Sequence, residues 1–290
     1  MGDRAGGRPA PETGGTGSRL EGGRAVSRTY LDYLNEKAMP HMWCPGCGNG
    51  NILKALLAAF AALDLDPRKT VVVTGIGCWG KADDYVTTNA VHGTHGRALA
   101  LATGIKAYRP DLTVVALMGD GDCATIGGNH FIHAARRNVG ITAVVANNHN
   151  YGMTGGQFSA TTPAGSRTST SPYGHAEEAF DLCELARAAG ANYVARTTVC
   201  HYRQMEKLIT EALAGEGFSL VEVMTPCPTY FGRLNRRGGP PEMWRSLKEE
   251  PGLRTGCLVK ASRPSFEARY AEIQKAARAM TGEERDPDAR

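Results

Sequence analysis

Leu112-Thr-Val-Val-Ala-Leu-Met118 runs directly into Gly119-Asp120-Gly121-Asp122, and Ile141-Thr-Ala-Val-Val-Ala146 runs into Asn147-Asn148. Both apolar runs have the length of a strand, and each ends in a polar turn. Asp120 and Asn148 are 28 residues apart, the span of one βαβ unit. They then stand at the carboxyl ends of two parallel strands, where open α/β sheets bind their ligands. Asp120 offers a carboxylate oxygen and Asn148 an amide oxygen, donors suited to Mg²⁺, which binds through carboxylates together with phosphate oxygens. A backbone carbonyl at Asn150 would add a third protein ligand. Gly119 and Gly121 let the backbone approach a diphosphate, and a helix after the acidic turn would offer it N–H groups. A glycine–aspartate turn alone is common; the weight rests on its pairing with the two asparagines.

The same alternation continues outward. Asn51–Leu63 is an expected helix with Ile52, Leu53, Leu56, Leu57 and Phe60 on one face. Thr70–Thr74 reads as a buried strand followed by the turn Gly75–Cys78, and Arg97–Tyr108 and residues 127–138 read as helices. Residues 152–173 form a Gly/Thr/Ser/Pro loop of a length that is usually functional or unstructured. Ala176–Ala189 (helix), Tyr193–Ala195 (short strand), Tyr202–Ala214 (helix) and Phe218–Val223 (strand) complete the unit. This order predicts an α/β fold with a doubly wound, mostly parallel sheet. Residues 29–235 are read as one domain. Residues 1–28 are expected to be a disordered Gly-rich arm, and 236–290 a C-terminal extension with one amphipathic helix near Ser265–Met280. No internal repeat is present.

Bulk properties narrow the function classes. The 290 residues are 42% hydrophobic with a net charge of +4, and no apolar run is long enough to span a bilayer. The opening residues hold no apolar signal-peptide core, so a cytoplasmic chain with reduced cysteines is expected. The densest basic points are Arg136-Arg137, Arg233 and Arg236-Arg237. They lack interleaved aromatics and read as solvated faces rather than a nucleic-acid site; a docking patch for an acidic partner is the minor alternative.

The eight cysteines are unevenly spaced, as in metal ligation rather than a disulfide framework. Cys44-Pro-Gly-Cys47 precedes a helix whose N-terminus would stabilise thiolate charge. Cys78 and Cys227, both in turns after strands, can complete a set of four for an iron–sulfur cluster or for structural zinc. Cys123 adjoins the acidic turn, while Cys183, Cys200 and Cys257 read as packing residues. His92, His95 and Arg97 cluster before a helix. A histidine there could move protons and an arginine could clamp a carboxylate; capping the helix or contacting phosphate is the alternative. His130 and His133 are expected to pack within the following helix.

The ordered segments Trp43-Cys-Pro-Gly-Cys-Gly-Asn49, Gly75–Cys78, Thr94-His-Gly-Arg97, Gly119–Asp122, Gly127-Gly-Asn-His130, Asn147-Asn148, Tyr151-Gly-Met-Thr-Gly-Gly-Gln157 and Cys227-Pro-Thr229 resemble the β subunit of 2-oxoacid:ferredoxin oxidoreductases. The resemblance covers about residues 30–235. Gly127–His130, Arg136–Asn138 and Cys227–Asn235 make it most similar to the 2-oxoglutarate group. It implies a thiamine diphosphate-binding fold, with Asp120, Asn148 and the Asn150 carbonyl on Mg²⁺. Gly119, Gly121, Asp122, Tyr151, Gly152, Met153 and Thr154 would lie around the cofactor, and Cys44, Cys47, Cys78 and Cys227 would hold a [4Fe–4S] cluster. The implied reaction is oxidative decarboxylation of 2-oxoglutarate to succinyl-CoA and CO₂, reversible as reductive carboxylation, with coenzyme A as co-substrate and electrons passing to ferredoxin.

Thiamine chemistry also needs a glutamate beside the aminopyrimidine, and no glutamate occurs between residues 38 and 176. The resemblance implies that a companion α subunit supplies it, in a dimer of αβ heterodimers, and that the chain is active only in that assembly. Pyruvate or a branched-chain 2-oxoacid is the alternative substrate. A non-redox thiamine enzyme subunit would not need the four cysteines, and a zinc-stabilised binding module would leave Asp120 and Asn148 idle.

Overall fold

Seven segments form one sheet: β1 (Thr70–Thr74), β2 (Asn89–His92), β3 (Thr113–Gly119), β4 (Ile141–Asn147), β5 (Tyr193–Thr198), β6 (Ser219–Met224) and β7 (Gly256–Lys260). Their spatial order is β2-β1-β3-β4-β6-β5-β7. All neighbours are parallel except β7, which runs antiparallel to β5. This structure is a computed structural model that describes residues 28–281, together with the paired two-residue strands Leu20–Glu21 and Arg24–Ala25. Otherwise, the disordered arm expected over residues 1–28 lies outside the described residues, Arg28 apart.

The central strands are buried on both faces, which is why they read as unbroken apolar runs rather than as alternating ones. Successive side chains still point to opposite sides. Val72 packs in the layer of α1 (Asn49–Ala62) and α5 (Tyr202–Ala214). Val71 and Val73 belong to the opposite layer, which holds α2 (Ala98–Tyr108), α3 (Gly128–Arg137) and α4 (Leu182–Ala189). Burying Leu56, Leu57 and Phe60 of α1 stabilises that layer by about 1.5–3 kcal/mol per side chain.

The chain steps from β1 out to β2 and returns to place β3 on the other side of β1. The strand order therefore reverses between β1 and β3, and the turns after those strands meet at the crevice that such a reversal opens.

Three expectations need correction. The helix expected from Ala176 begins at Leu182, because the Asp181 side chain accepts the Glu184 N–H and caps it there. The extension after residue 236 holds more than one helix: besides α7 (Phe266–Thr281) it contains α6 (Pro240–Lys248) and the edge strand β7. Cys257, on that edge, is exposed rather than packed.

Candidate functional site

Gly119 is the last residue of β3, and Asp120 opens a wide helical turn, Gly121–Ile126, that leads into α3. Asn148 follows β4 directly. A cavity at these strand ends is lined by Gly119, Asp120, Gly121, Asp122, Asn148 and Asn150, and by Tyr151, Gly152, Met153 and Thr154 of the following loop. Ile76, Gly77 and Cys78 after β1, His95 before α2, and Asn49 and Trp79 close it. Residues from five separate stretches of sequence thus converge at the reversal point.

Asp120 is 1% exposed. Its Oδ2 accepts hydrogen bonds from Ser159 Oγ (2.5 Å) and Thr161 Oγ1 (2.6 Å), and its Oδ1 a long one from the Asn148 N–H (3.4 Å). Burial pushes this carboxyl above the usual carboxylate range, and the two hydroxyls only partly offset that. Asp122 Oδ1 accepts from His95 Nδ1 (2.5 Å), Gly96 N (2.6 Å) and Ile76 N (3.3 Å). Asp122 Oδ2 and Asn150 Oδ1 are buried without a partner. A Cβ added to Gly119 would meet nothing nearer than the Ala146 carbonyl at 4.0 Å. Two orphaned oxygens, a singly engaged carboxylate oxygen on Asp120 and an open glycine make a donor set that fits a hard cation carrying a diphosphate.

Cys44, Cys47, Cys78 and Cys227 line a second cavity of about 240 Å³, which shares Asn49, Cys78, Asn148, Gly152 and Met153 with the first. Its loops are clamped from several sides. Trp43 Nε1 donates to the Cys78 carbonyl at 2.5 Å, Trp244 Nε1 of α6 donates to the Gly46 carbonyl at 2.7 Å, and Thr225 Oγ1 donates to the Cys47 carbonyl. Burial raises the Cys47 thiol and drives Cys78 up to about 12, and neighbouring sulfurs add to both shifts. At Cys47, burial outweighs the expected help from the α1 N-terminus.

Among the described residues, one group of three or more His, Cys, Asp or Glu ligand atoms lies mutually within 4.8 Å: Asp181, Cys183 and Glu222. The Arg196 guanidinium already occupies that group, 2.5 Å from Asp181 and 2.7 Å from Glu222. The four cavity cysteines are more widely spread. A tetrahedral zinc ion would draw its sulfurs to about 3.8 Å from one another. Four thiols around one cavity suit a centre with thiolate ligands.

The histidine and arginine cluster comes apart in space. His95 lines the first cavity. His92 bonds Asp83 (2.8 Å) and Thr74 (3.1 Å) on the sheet edge. Arg97 stands outside the cavity lining, exposed at the α2 cap, with Nη1 on the Gly96 carbonyl. Sequence reasoning missed Ser159 and Thr161, which reach Asp120 from a loop about 40 residues away. It also missed the α6 clamp, although Gly239-Pro-Pro-Glu242 carries a helix-start signal with proline at the first turn and glutamate at its third position.

Residues 55–223 match the family model "Thiamine pyrophosphate enzyme, C-terminal TPP binding domain". The 2-oxoglutarate synthase subunit KorB of Archaeoglobus fulgidus is 53% identical over 220 residues, covering 76% of this chain and 80% of the relative. Subunit beta of 2-oxoacid:ferredoxin oxidoreductase 2 from Aeropyrum pernix is 36% identical, covering 86% and 81%. The chain belongs to the 2-oxoacid:ferredoxin oxidoreductase β-subunit family. A solved structure of a family enzyme, the 2-oxoglutarate:ferredoxin oxidoreductase from Magnetococcus marinus with 2-oxoglutarate, coenzyme A and succinyl-CoA bound, is similar to it with a TM-score of 0.78 and 34% identity. That match covers 90% of this β-subunit family member and 93% of the solved chain. Among the described residues, no helix is long and apolar enough to cross a membrane.

Proposed function

We propose that this chain is the thiamine diphosphate-, Mg²⁺- and [4Fe–4S]-binding subunit of a CoA-dependent 2-oxoglutarate:ferredoxin oxidoreductase, working in the cytoplasm. Its reaction is the oxidative decarboxylation of 2-oxoglutarate to succinyl-CoA and CO₂, with electrons delivered to ferredoxin. One observation carries this reading: the diphosphate cavity and the four-cysteine cavity share a wall made of Cys78, Asn148, Gly152 and Met153. A non-redox thiamine subunit has no use for that juxtaposition, and a zinc-stabilised module has no use for the first cavity. The substrate assignment follows the relatives named 2-oxoglutarate synthase and the ligands named for the solved neighbour.

When bound, thiamine diphosphate supplies an electron sink for decarboxylation, and the cluster accepts electrons one at a time. Asp120, Asn148 and the Asn150 carbonyl would hold Mg²⁺, and Cys44, Cys47, Cys78 and Cys227 the cluster. Gly119 and Gly121 keep Cβ atoms out of the diphosphate's path. Asp122 holds His95 by Nδ1, which fixes the ring and leaves Nε2 for proton exchange at the cavity wall. Tyr151–Gln157 closes on itself through Tyr151 N to Gln157 O (3.0 Å) and Gly156 N to Tyr151 O (2.8 Å), which shapes the loop against the cavity.

Among the described residues, no glutamate lines either cavity. The first is also small, about 40 Å³, where a small-molecule site spans about 300 Å³ or more. This surface therefore takes the diphosphate end, and a companion α subunit must cover the rest and bring the activating glutamate. One αβ pair satisfies both needs, and the family resemblance implies a dimer of such pairs.

The test is the anaerobic visible spectrum of the chain co-purified with its companion, before and after 2-oxoglutarate plus coenzyme A. Iron–thiolate absorption that bleaches on addition is expected. Absorption that bleaches only with pyruvate or a branched-chain oxoacid would overturn the substrate, and zinc without iron would overturn the redox role.

A further inference from the structure

We infer that Glu222 is a positioning residue for the magnesium–diphosphate cradle, acting through the side-chain amide of Asn147; the inference rests on the function proposed above. Glu222 and Arg196 face each other in register across β6 and β5, 1% and 8% exposed. Both strands are otherwise filled with residues that need no charge. An ion pair in that place is weak evidence of stability, because well-packed apolar residues often serve as well or better. The other bonds of Glu222 give the pair a purpose.

Glu222 Oε2 takes Arg196 Nε at 2.7 Å and the Cys183 thiol at 3.3 Å. Its Oε1 accepts Asn147 Nδ2 at 2.8 Å. A carboxylate accepts only, so the amide nitrogen of Asn147 must face it. Asn147 Oδ1 must then face the other way, where it accepts the His149 N–H at 3.1 Å. That bond closes a turn in which His149 sits at φ 63°, the left-handed region that a side chain such as histidine adopts at a cost. The two residues flanking His149 are Asn148 and Asn150, which the proposed function places on Mg²⁺. If the Asn147 amide flipped, two donors would meet at His149 and the turn would lose its anchor.

Thr161 places the same amide close to Asp120. Its hydroxyl is 2.6 Å from Asp120 Oδ2 and 3.1 Å from Asn147 Oδ1. It has one proton, and the shorter contact to the carboxylate takes it. The Asn147 amide thus abuts the group that holds the metal carboxylate as well as the loop that carries the amide ligand. Arg196 holds Oε2 and so keeps Oε1 turned toward Asn147.

The decisive experiment uses the complex with its companion subunit and reads two quantities: melting temperature, and Mg²⁺-dependent binding of thiamine diphosphate by fluorescence titration. Glu222→Gln keeps the shape but presents an amide NH₂ to either Asn147 or Arg196. It should weaken Mg²⁺-dependent binding about tenfold. Glu222→Met with Arg196→Met removes both charges together. It should melt close to the wild type yet bind the cofactor about as poorly as Glu222→Gln. Wild-type affinity in the double variant, or in Glu222→Gln should the double variant fail to fold, would assign the pair to sheet packing and overturn the inference. A wild-type complex that binds no thiamine diphosphate would overturn the functional reading itself.

Discussion

Nδ1 of His95 lies 2.5 Å from Oδ1 of Asp122, while Oδ2 of the same carboxylate is buried with no partner. Asp122 therefore ties the segment before α2 to the turn after β1, whose Ile76 N–H it also accepts, at the wall of the first cavity. Asp122→Ala strands three donors at once and should cost about 3 kcal/mol or more. His95→Asn should instead leave the melting temperature within a few degrees, because the ring is partly exposed, and lower kcat about 10²-fold if the ring moves a proton. Thermal melts and steady-state kinetics of the assembled enzyme separate the two effects. A kcat for His95→Asn within threefold of wild type would remove the proton-transfer role.

Gly121 leaves no room for a side chain. A Cβ there would sit 2.3 Å from the Tyr151 ring, whose hydroxyl donates to the Gly121 carbonyl at 3.2 Å. Overpacking of this kind costs about 1–3 kcal/mol. Because Tyr151 carries the cofactor loop, Gly121→Ala should displace the loop and weaken thiamine diphosphate binding about tenfold. Tyr151→Ala in the same background should recover the melting temperature without recovering affinity, and a titration of both variants reads the difference.

Legibility in the sequence followed the strength of the local signal. Thr70–Thr74 and Tyr202–Ala214 were readable to the residue, one as a β-branched run and the other as a helical apolar stripe. Helix α4 was placed six residues too early because Ala176–Phe180 has helix-favouring residues, whereas the Asp181 cap decides where the helix starts. Edge strand β7 was invisible: it is five residues long and only partly buried, so its pairing with β5 is a tertiary fact. The site divides in the same way. Asp120, Asn148 and the four cysteines stand in short local patterns. Ser159, Thr161 and Glu222 act only through contacts that the fold brings together. Glu222 lies as a charge inside the expected strand Phe218–Val223, whereas Arg196 falls just past the expected end of Tyr193–Ala195 and joins β5 only in the structure.

Arg196 spans a buried and a surface carboxylate, Glu222 and Asp181. Arg196→Met alone leaves Glu222 buried without its cation and should cost about 3–5 kcal/mol. The pair also contributes a small acid sensitivity. Burial alone would raise the Asp181 carboxyl, but hydrogen bonds from Arg196 and the Glu184 N–H outweigh it, and the group ends below its ordinary 3.8. A carboxyl lowered in the folded state adds stability above its unfolded value, and that stability is lost as the pH falls through the folded one. With the Asp181 side chain 42% exposed, solvent screening holds this contribution under about 1 kcal/mol. Urea melts between pH 7 and pH 3 should show a slightly shallower acid loss in Arg196→Met than in wild type; an identical pH dependence would remove Asp181 from the account.

Gly152 sits at the wall between the two cavities. A Cβ on it would lie 3.5 Å from Cys227 Sγ, 3.7 Å from Cys78 Sγ and 3.6 Å from Asn148 Nδ2. Those are ordinary contact distances, so Gly152→Ala should fold normally, while the longer Gly152→Leu fills the space that sulfur, amide and any bound group share. Gly152→Leu should purify with less than half the wild-type iron and acid-labile sulfide and with weakened cofactor binding, because one side chain intrudes on both cavities. Cys227→Ser should lose the iron but keep Mg²⁺-dependent thiamine diphosphate binding, since Cys227 lines only the second of them. Removing the cluster by oxidation and chelation should lower the melting temperature by only a few degrees. The cysteine loops are held independently by Trp43 on the Cys78 carbonyl, Trp244 on the Gly46 carbonyl and Thr225 on the Cys47 carbonyl. Global unfolding on cluster loss would show that the metal, and not these clamps, orders the segment from Trp43 to Asn49.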